Sequence, residues 1–328
     1  MNLLILSNNP SRASFRQRIG VYLDTLRSNG INPDVAKLPK GSLGRRKLFQ
    51  RAADFEGVFL HKKGLNFFDA FWLHRYSKKI IYDFDDAVMY SPKNPNRNSL
   101  SHFIPFRRTV KLADMIIAGN SYLAEHARKF NPNVEILPTG LDTDAYKVQA
   151  GPKNDDKIRL VWIGSKSTLR YLAEIKPALE EISSRFDNVI LRIICDDFLN
   201  LQNMPAEKYL WSEETEATDL ATCDIGLAPL PDNRFTRGKC GFKILQYAAA
   251  GLPVIASPVG VNNDYIRQGG GYLADGASDW VDKLCQLISD SQLRKRMGQI
   301  SRAKVKQFDL RVLGRLLVRL IKGCIESG

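Results

Sequence analysis

The segment Arg237-Gly238-Lys239-Cys240-Gly241-Phe242-Lys243-Ile244-Leu245-Gln246-Tyr247 runs from a basic, glycine-bearing loop into a helix of small and apolar residues. A Gly251-Leu252-Pro253 turn and an apolar strand follow it. Amides at a helix N-terminus are unsatisfied donors that bind anions, and ammonium groups at Lys239 and Lys243 add charge at the same end. Gln246, one turn further on, would meet a hydroxyl-bearing group such as a ribose. The same pattern also makes an ordinary helix–strand unit whose alanines only allow close packing, and the residues alone leave both readings open.

A second cluster, Tyr82-Asp83-Phe84-Asp85-Asp86, follows the apolar Ile80-Ile81. Three carboxylates at the end of a strand repel one another and need cationic or hydroxyl partners. They make a solvated acidic turn, a site in which Asp85 or Asp83 orients a ligand or takes a proton, or an acidic motif for a metal on a diphosphate. The loop from Asn8 to Arg18 offers Ser14, Arg16 and Arg18 at the start of a helix, where an anion would sit, although arginines on a helix surface are commonplace. In the stretch Lys37–Arg51, six cations interleave with Leu38, Leu43, Leu48 and Phe49, which suits a peripheral membrane contact or a solvated basic face. The four histidines lack metal-ligand spacing, and His102 lies in a Ser- and Asn-rich stretch read as a loop. Trp211 reads as a core residue.

The elements that must position these groups alternate in the manner of βαβ units. Strands are expected at Asn2–Leu6, Val35–Leu38, Gly57–Leu60, Ile80–Tyr82, Met115–Ala118 and Val134–Leu137, with helices such as Phe15–Asn29 and Ser121–Phe130 between them. A polar, breaker-rich linker is expected at Ala150–Asp156. A second alternation has strands at Arg159–Ile163, Val189–Cys195, Ile225–Ala228 and Pro253–Ala256, and helices at Leu169–Phe186, Phe242–Ala250 and Asp279–Ser289. The expected fold is α/β, with two Rossmann-like doubly wound parallel-sheet domains, 1–150 and 151–307, facing across a cleft. A last helix, Leu310–Ile325, carries Arg311, Arg315, Arg319 and Lys322 on one stripe and packs back on the first domain.

Composition narrows the class. With 328 residues, 44% hydrophobic and 25% charged, the chain is long enough for two globular domains and is neither disordered nor a coiled coil. Five cysteines without a CxxC pair fit neither a disulfide framework nor a zinc site, and suit a reducing compartment. The N-terminal run reads as a first strand and not a signal peptide, and no stretch of about 18 apolar residues occurs. Of the net charge of +13, residues 1–150 hold +10 (23 Lys/Arg against 13 Asp/Glu) and the remainder +3 (25 against 22). The first half therefore favours an anionic partner: nucleic acid, lipid headgroups or a pyrophosphate-linked molecule. No nucleic-acid-binding motif appears, and the aromatics do not interleave with the basic runs.

Four collinear segments resemble the retaining GT-B glycosyltransferases, and family 4 (group 1) in particular. They are Ile117-Ala118-Gly119-Asn120-Ser121, Ile136-Leu137-Pro138-Thr139-Gly140-Leu141-Asp142, the strand and loop Val161-Trp162-Ile163-Gly164-Ser165-Lys166-Ser167-Thr168, and the Arg237–Ser257 segment. The resemblance implies a sugar moved from a nucleoside-diphosphate sugar to an acceptor, with retention, and with no metal or other cofactor. Ser165, Thr168, Arg170, Lys239, Phe242, Lys243 and Gln246 would hold the donor. Asp85 and Asp83 would be the catalytic carboxylates, and Ser14, Arg16 and Arg18 would face the acceptor. The family's paired glutamates fall on Gly238 and Gln246, and its phosphate-loop arginine on Ser165, as in a variant subgroup lacking that pair. The basic first domain suits a polyprenyl-linked glycan acceptor at the inner face of a cell membrane, in surface-polysaccharide synthesis by a cytoplasmic enzyme. A GT-B scaffold without catalysis and a nucleic-acid-binding protein are the alternatives.

Overall fold

Parallel strands covered on both faces are unbroken apolar runs, and the computed structural model turns the runs in this sequence into two all-parallel sheets. It describes residues 1–148, 155–267 and 269–327. The expected linker, 150–156, lies outside them apart from its last two residues. Internal contacts divide the chain into one unit of Met1–Leu141, Asn233–Cys240 and Phe308–Gly328, and another of Asp142–Asp232 and Gly241–Gln307.

The first unit contains β1 (Asn2–Ser7), α1 (Ala13–Arg18), α2 (Leu23–Ser28), β2 (Asn32–Lys37), α3 (Ser42–Gln50), β3 (Gly57–His61), α4 (Phe67–Tyr76), β4 (Ile80–Phe84), α5 (Leu100–Leu112), β5 (Met115–Ala118), α6 (Ser121–Arg128) and β6 (Val134–Ile136). Its sheet order is β2-β1-β3-β4-β5-β6, so the strand order reverses beside β1 and β3. Side chains alternate across a strand. Leu4 and Leu6 of β1 therefore join the core under α3 to α6, whereas Leu3 and Ile5 join the opposite core under α1 and α2.

The second unit contains β7 (Ile158–Ile163), α7 (Lys166–Glu174), α8 (Lys176–Arg185), β8 (Val189–Ile194), β9 (Ala206–Tyr209), α9 (Glu216–Ala221), β10 (Ile225–Ala228), α10 (Phe242–Ala249), β11 (Val254–Ala256), α11 (Asn262–Ile266), β12 (Gly271–Leu273), α12 (Gly276–Ser289) and α13 (Ser291–Val305). The order β12-β11-β10-β7-β8-β9 is that of a Rossmann sheet, reversing between β7 and β10. The last helix, α14 (Leu310–Glu326), belongs to the first unit, where Leu313, Leu317 and Ile321 pack with Tyr22 and Leu26. Leu141, where the chain leaves that unit, bridges Asp309, where it has just returned.

Several elements differ from the sequence reading. The expected helix Phe15–Asn29 is α1, a 3-10 turn at Gly20–Tyr22, and α2. Its break falls at Ile19 and Gly20, where glycine lowers helix propensity. The expected helix Leu169–Phe186 begins earlier and breaks at Ile175, two residues before Pro177, which cannot donate into the preceding turn. Strands β9 and β12 are short sheet edges without an apolar run. The Ser- and Asn-rich stretch enters α5, which carries His102 and an internal Pro105.

One packing detail sets the floor of the second unit. The Tyr247 ring lies over Gly226 of β10, and its hydroxyl donates to the Leu227 carbonyl (3.1 Å) and accepts from the Ile163 amide (3.0 Å). A Cβ on Gly226 would stand 2.4–2.9 Å from Tyr247 atoms. Gly226→Ala should therefore cost about 1–3 kcal/mol, the range for overpacking a core. Urea unfolding measures this, and unchanged stability would mean that the ring is not held there.

Candidate active site

At the carboxyl edge of the first sheet, register places His61 of β3 opposite Asp83 of β4. His61 Nδ1 lies 2.9 Å from Asp83 Oδ2. Arg18, at the end of α1, donates to Asp83 Oδ1 from Nη2 (2.7 Å) and Nε (3.1 Å), and from Nη1 to the Leu137 carbonyl (2.6 Å). All three side chains are enclosed, Asp83 at 0% exposure. Burial pushes the Asp83 carboxyl up, but the Arg18 guanidinium and the His61 hydrogen bond outweigh it and hold it below the usual carboxylate range.

Two residues on, Asp85 and Asp86 turn out of the sheet. Lys62 is the one residue other than glycine, among those described, with positive φ (55°). That conformation is costly for a side chain with a Cβ. Here it carries the ammonium to Asp85 (2.5 Å) and Asp86 (2.8 Å). Lys239 Nζ reaches the other oxygen of Asp86 at 2.9 Å. Two carboxylates and two ammonium groups thus neutralise one another. Burial would strip the proton from Lys62, but the two carboxylates hold it on; burial likewise opposes charge on Asp86, and Lys239 and Lys62 hold that carboxyl down.

Lys239 arrives there because Asn233–Cys240 folds onto the first unit. Asn120 caps α6 by accepting from the Leu123 amide (2.9 Å), while its Nδ2 donates to the Gly238 and Lys239 carbonyls at 3.2 Å each. Tyr122 donates to the Arg234 carbonyl at 3.0 Å. Gly238 is required by closeness, since a Cβ would meet Ala87 and Leu123 at 2.8–2.9 Å. Cys240 is the last residue of this segment, and burial pushes its thiol up, away from the thiolate.

In the second unit, β7 ends at Ile163, and Gly164 leads to Ser165, the N-cap of α7. Ser165 and Thr168 form a capping box, with the Ser165 amide donating to Thr168 Oγ1 at 3.2 Å. Lys243, in the first turn of α10, donates to the Ile163 carbonyl and lies over the Trp162 ring at 4.5 Å. A Cβ on Gly164 would stand 2.5 Å from that ammonium, so glycine keeps the approach open. Gly241 is the left-handed N-cap of α10 (φ 65°), and half-buried Phe242 begins the helix. The Lys166 amide donates to Asp196 Oδ1 (2.6 Å), so one amide at the α7 N-terminus already has a carboxylate.

The site residues expected from sequence fall into three groups. Ser165, Thr168 and Lys243 come together at the end of β7 in the second unit, with Phe242 beside Lys243. Lys239 and Asp85 belong to the cluster of the first unit. The others lie elsewhere. Arg18 and Asp83 are enclosed against each other, because an unpaired charge there would be costly. Gln246 is 3% exposed and points to Tyr146, whose hydroxyl donates to Glu216, which also accepts from Trp211 Nε1 (2.6 Å). Trp211 is thereby half-buried and hydrogen-bonded. Arg170 lies over the Tyr171 ring at 5.1 Å, in the second turn of α7. Ser14 is exposed on the six-residue α1, and Arg16 donates to the Ser11 carbonyl. Sequence reasoning missed Lys62 and His61, whose signal was a His-Lys-Lys run directly after an apolar strand.

Residues 145–290 match the model of the family described as "Glycosyl transferases group 1". None of the curated protein sequences matches this one. Solved structures share the fold. HepE from Anabaena, in complex with UDP and glucose, is 16% identical, with 98% of this chain and 99% of that one covered and a TM-score of 0.71. A glycosyltransferase from Rickettsia africae is 13% identical over 100% and 99%, with a TM-score of 0.77. The fold is GT-B. WaaG, a glycosyltransferase involved in lipopolysaccharide biosynthesis, is similarly close to this GT-B chain, at 16% identity, 98% and 100% coverage and a TM-score of 0.72.

The enclosed Asp83 generates a pH prediction. Its folded value is depressed, so its contribution to stability is present above the ordinary carboxylate value of about 4 and fades as pH falls below it. Asp83→Asn leaves Arg18 enclosed without its charge partner, at a cost of about 3–5 kcal/mol. Urea unfolding should show that difference undiminished from pH 8 to pH 5 and shrinking below about pH 4. A difference independent of pH would mean that the carboxylate charge is not what Arg18 requires.

Proposed function

We propose that this GT-B protein transfers a sugar from a UDP-sugar to an acceptor, with retention at the anomeric carbon and without a metal. The observation that carries the reading is Lys243 at the end of β7, beside the Ser165–Thr168 cap. This is the carboxyl edge of the sheet at its switch point, where doubly wound folds bind ligands. The group 1 match over 145–290 supports transfer, and the UDP of the HepE complex supports the base.

In this reading the diphosphate lies against Lys243 and the Ser165 and Thr168 hydroxyls. Charge grows on it as the bond to the sugar breaks, and a fixed ammonium lowers the energy of that charge more than of the ground state. Lys239, neutralising Asp86, orders the acidic turn instead of holding phosphate. Asp85 accepts a hydrogen bond from the sugar or the acceptor, and Asp83 acts by holding Arg18 and His61 in position. Retention rests on the family resemblance. The acceptor is a lipid-linked glycan intermediate of surface-polysaccharide synthesis, supported by the cationic first half of the chain and by the involvement of WaaG in lipopolysaccharide biosynthesis.

Two outcomes test this. Lys243→Ala should weaken UDP binding about tenfold or more, a charge-assisted contact being worth roughly 1.5–3 kcal/mol, and leave uridine binding nearly unchanged. Calorimetry measures both, and equal losses would put Lys243 away from the diphosphate. Release of UDP from a UDP-sugar should also persist in excess EDTA. Activity lost with EDTA and restored by manganese would make Asp85 and Asp86 metal ligands and overturn the mechanism.

A further inference from the structure

Helices α3, α4 and α5 lie side by side on one face of the first sheet. Each begins at the sheet's carboxyl edge, because each follows a parallel strand. In the first half of each, apolar side chains point into solvent: Leu43 on α3, Phe67, Phe68 and Phe71 on α4, and Leu100 and Ile104 on α5. Their exposures run from 45% to 75%, and the Phe67 and Phe68 rings meet edge to face at 5.7 Å. Single exposed apolar residues are common, but six on three adjacent helices at one edge are a patch of the kind that marks an interaction surface.

The surroundings are cationic. Lys40, Lys93 and Arg97 are exposed in the loops entering α3 and α5, and Arg46 and Lys47 on α3 itself. The three helices carry a single carboxylate, Asp69, which is 3% exposed and paired with Arg45 at 2.8 Å. Arg45 is therefore a structural cation, and the surface has no exposed acid on any of the three helices. On the opposite face of the same sheet, α14 has a basic stripe too, but its Leu313, Leu317 and Ile321 are consumed by the core. One flat surface cannot touch both faces.

We infer that this protein docks on an anionic lipid bilayer through the α3–α4–α5 edge, with Phe67, Phe68 and Phe71 inserted among the headgroups and the cations on lipid phosphates. Aromatic side chains beside lysines and arginines, without acids, meet the two requirements of interfacial binding, apolar burial and attraction to negative headgroups. Nucleic acid would match the charge, but not an apolar surface spread over three helices. The docking edge is also the edge that carries Lys62 and Asp85, so a lipid-linked acceptor would reach them from the bilayer surface. The docking surface is the same whether or not the protein transfers a sugar.

The test is sedimentation of the intact protein with vesicles of phosphatidylcholine alone or with phosphatidylglycerol. The protein should pellet with the mixed vesicles, less with the neutral ones, and less again in high salt. A Phe67→Ser, Phe68→Ser, Phe71→Ser variant should lose binding by about tenfold or more with an unchanged melting temperature, since these rings lie outside the core. An Arg315→Ser, Arg319→Ser variant on α14 should pellet like the parent. The inference fails if the parent does not pellet, if the phenylalanine variant still does, or if the α14 variant is the one that loses binding. It fails as well if a short DNA duplex displaces the vesicles. UDP binding, measured on the same samples, reports separately on the donor site.

Discussion

A guanidinium closed off from water must be matched by charge and by hydrogen bonds, and the carboxyl edge of the first unit is arranged around that requirement at Arg18. Its side chain joins the end of α1, Asp83 of β4 and the carbonyl of Leu137 just beyond β6. Asp83 in turn fixes His61 at the end of β3. Three strand ends and one helix are thereby held in register by one enclosed ion pair. With Asp83 so engaged, the next carboxylates along the chain, Asp85 and Asp86, are the ones that leave the sheet, and Lys62 adopts a left-handed conformation to meet them. Gly119 permits this turn, since a Cβ there would stand 2.8 Å from the Asp85 Cα.

The second unit holds a positive charge at a strand end by a different arrangement. Lys243 is held by the Ile163 carbonyl and the Trp162 ring, both of which attract a cation. Tyr247, one turn further along α10, bridges the β7 and β10 backbones and so fixes the helix that carries Lys243. Lys239, only four residues earlier, belongs to the other unit. The stretch between them includes the left-handed Gly241, where the chain turns from one unit into the next. Two lysines that look equivalent in sequence therefore sit in different settings, one against an acidic turn and the other beside Gly164.

Much of this was legible from residue order alone. The apolar runs of β1, β3, β4, β5, β7, β8 and β10 marked both sheets because strand burial is local, whereas the Ser165–Thr168 capping box, which starts α7 ahead of the expected Leu169, was not read as a cap. The Gln246 contact was not legible, because the direction of a side chain on a short buried helix depends on Tyr146, a hundred residues away. Arg18 and Asp83 were read as ligand-facing because sequence shows charge without showing enclosure. The rims of the first unit were harder still. Helix α4 has apolar residues all round, so no stripe separated Leu73, which enters the core, from Phe68, which does not. Lys62 gave no sign of its backbone conformation, which is imposed by the carboxylates it meets.

The central claim is that the end of β7, with Lys243 and the Ser165–Thr168 cap, receives a nucleoside diphosphate. Calorimetric titration of the unaltered protein with UDP and with uridine, in the presence of EDTA, tests it most directly. The account predicts one UDP site at least about a hundredfold tighter than any uridine site, as two charge-assisted phosphate contacts would give. Equal affinities, or no binding of either ligand, would contradict it.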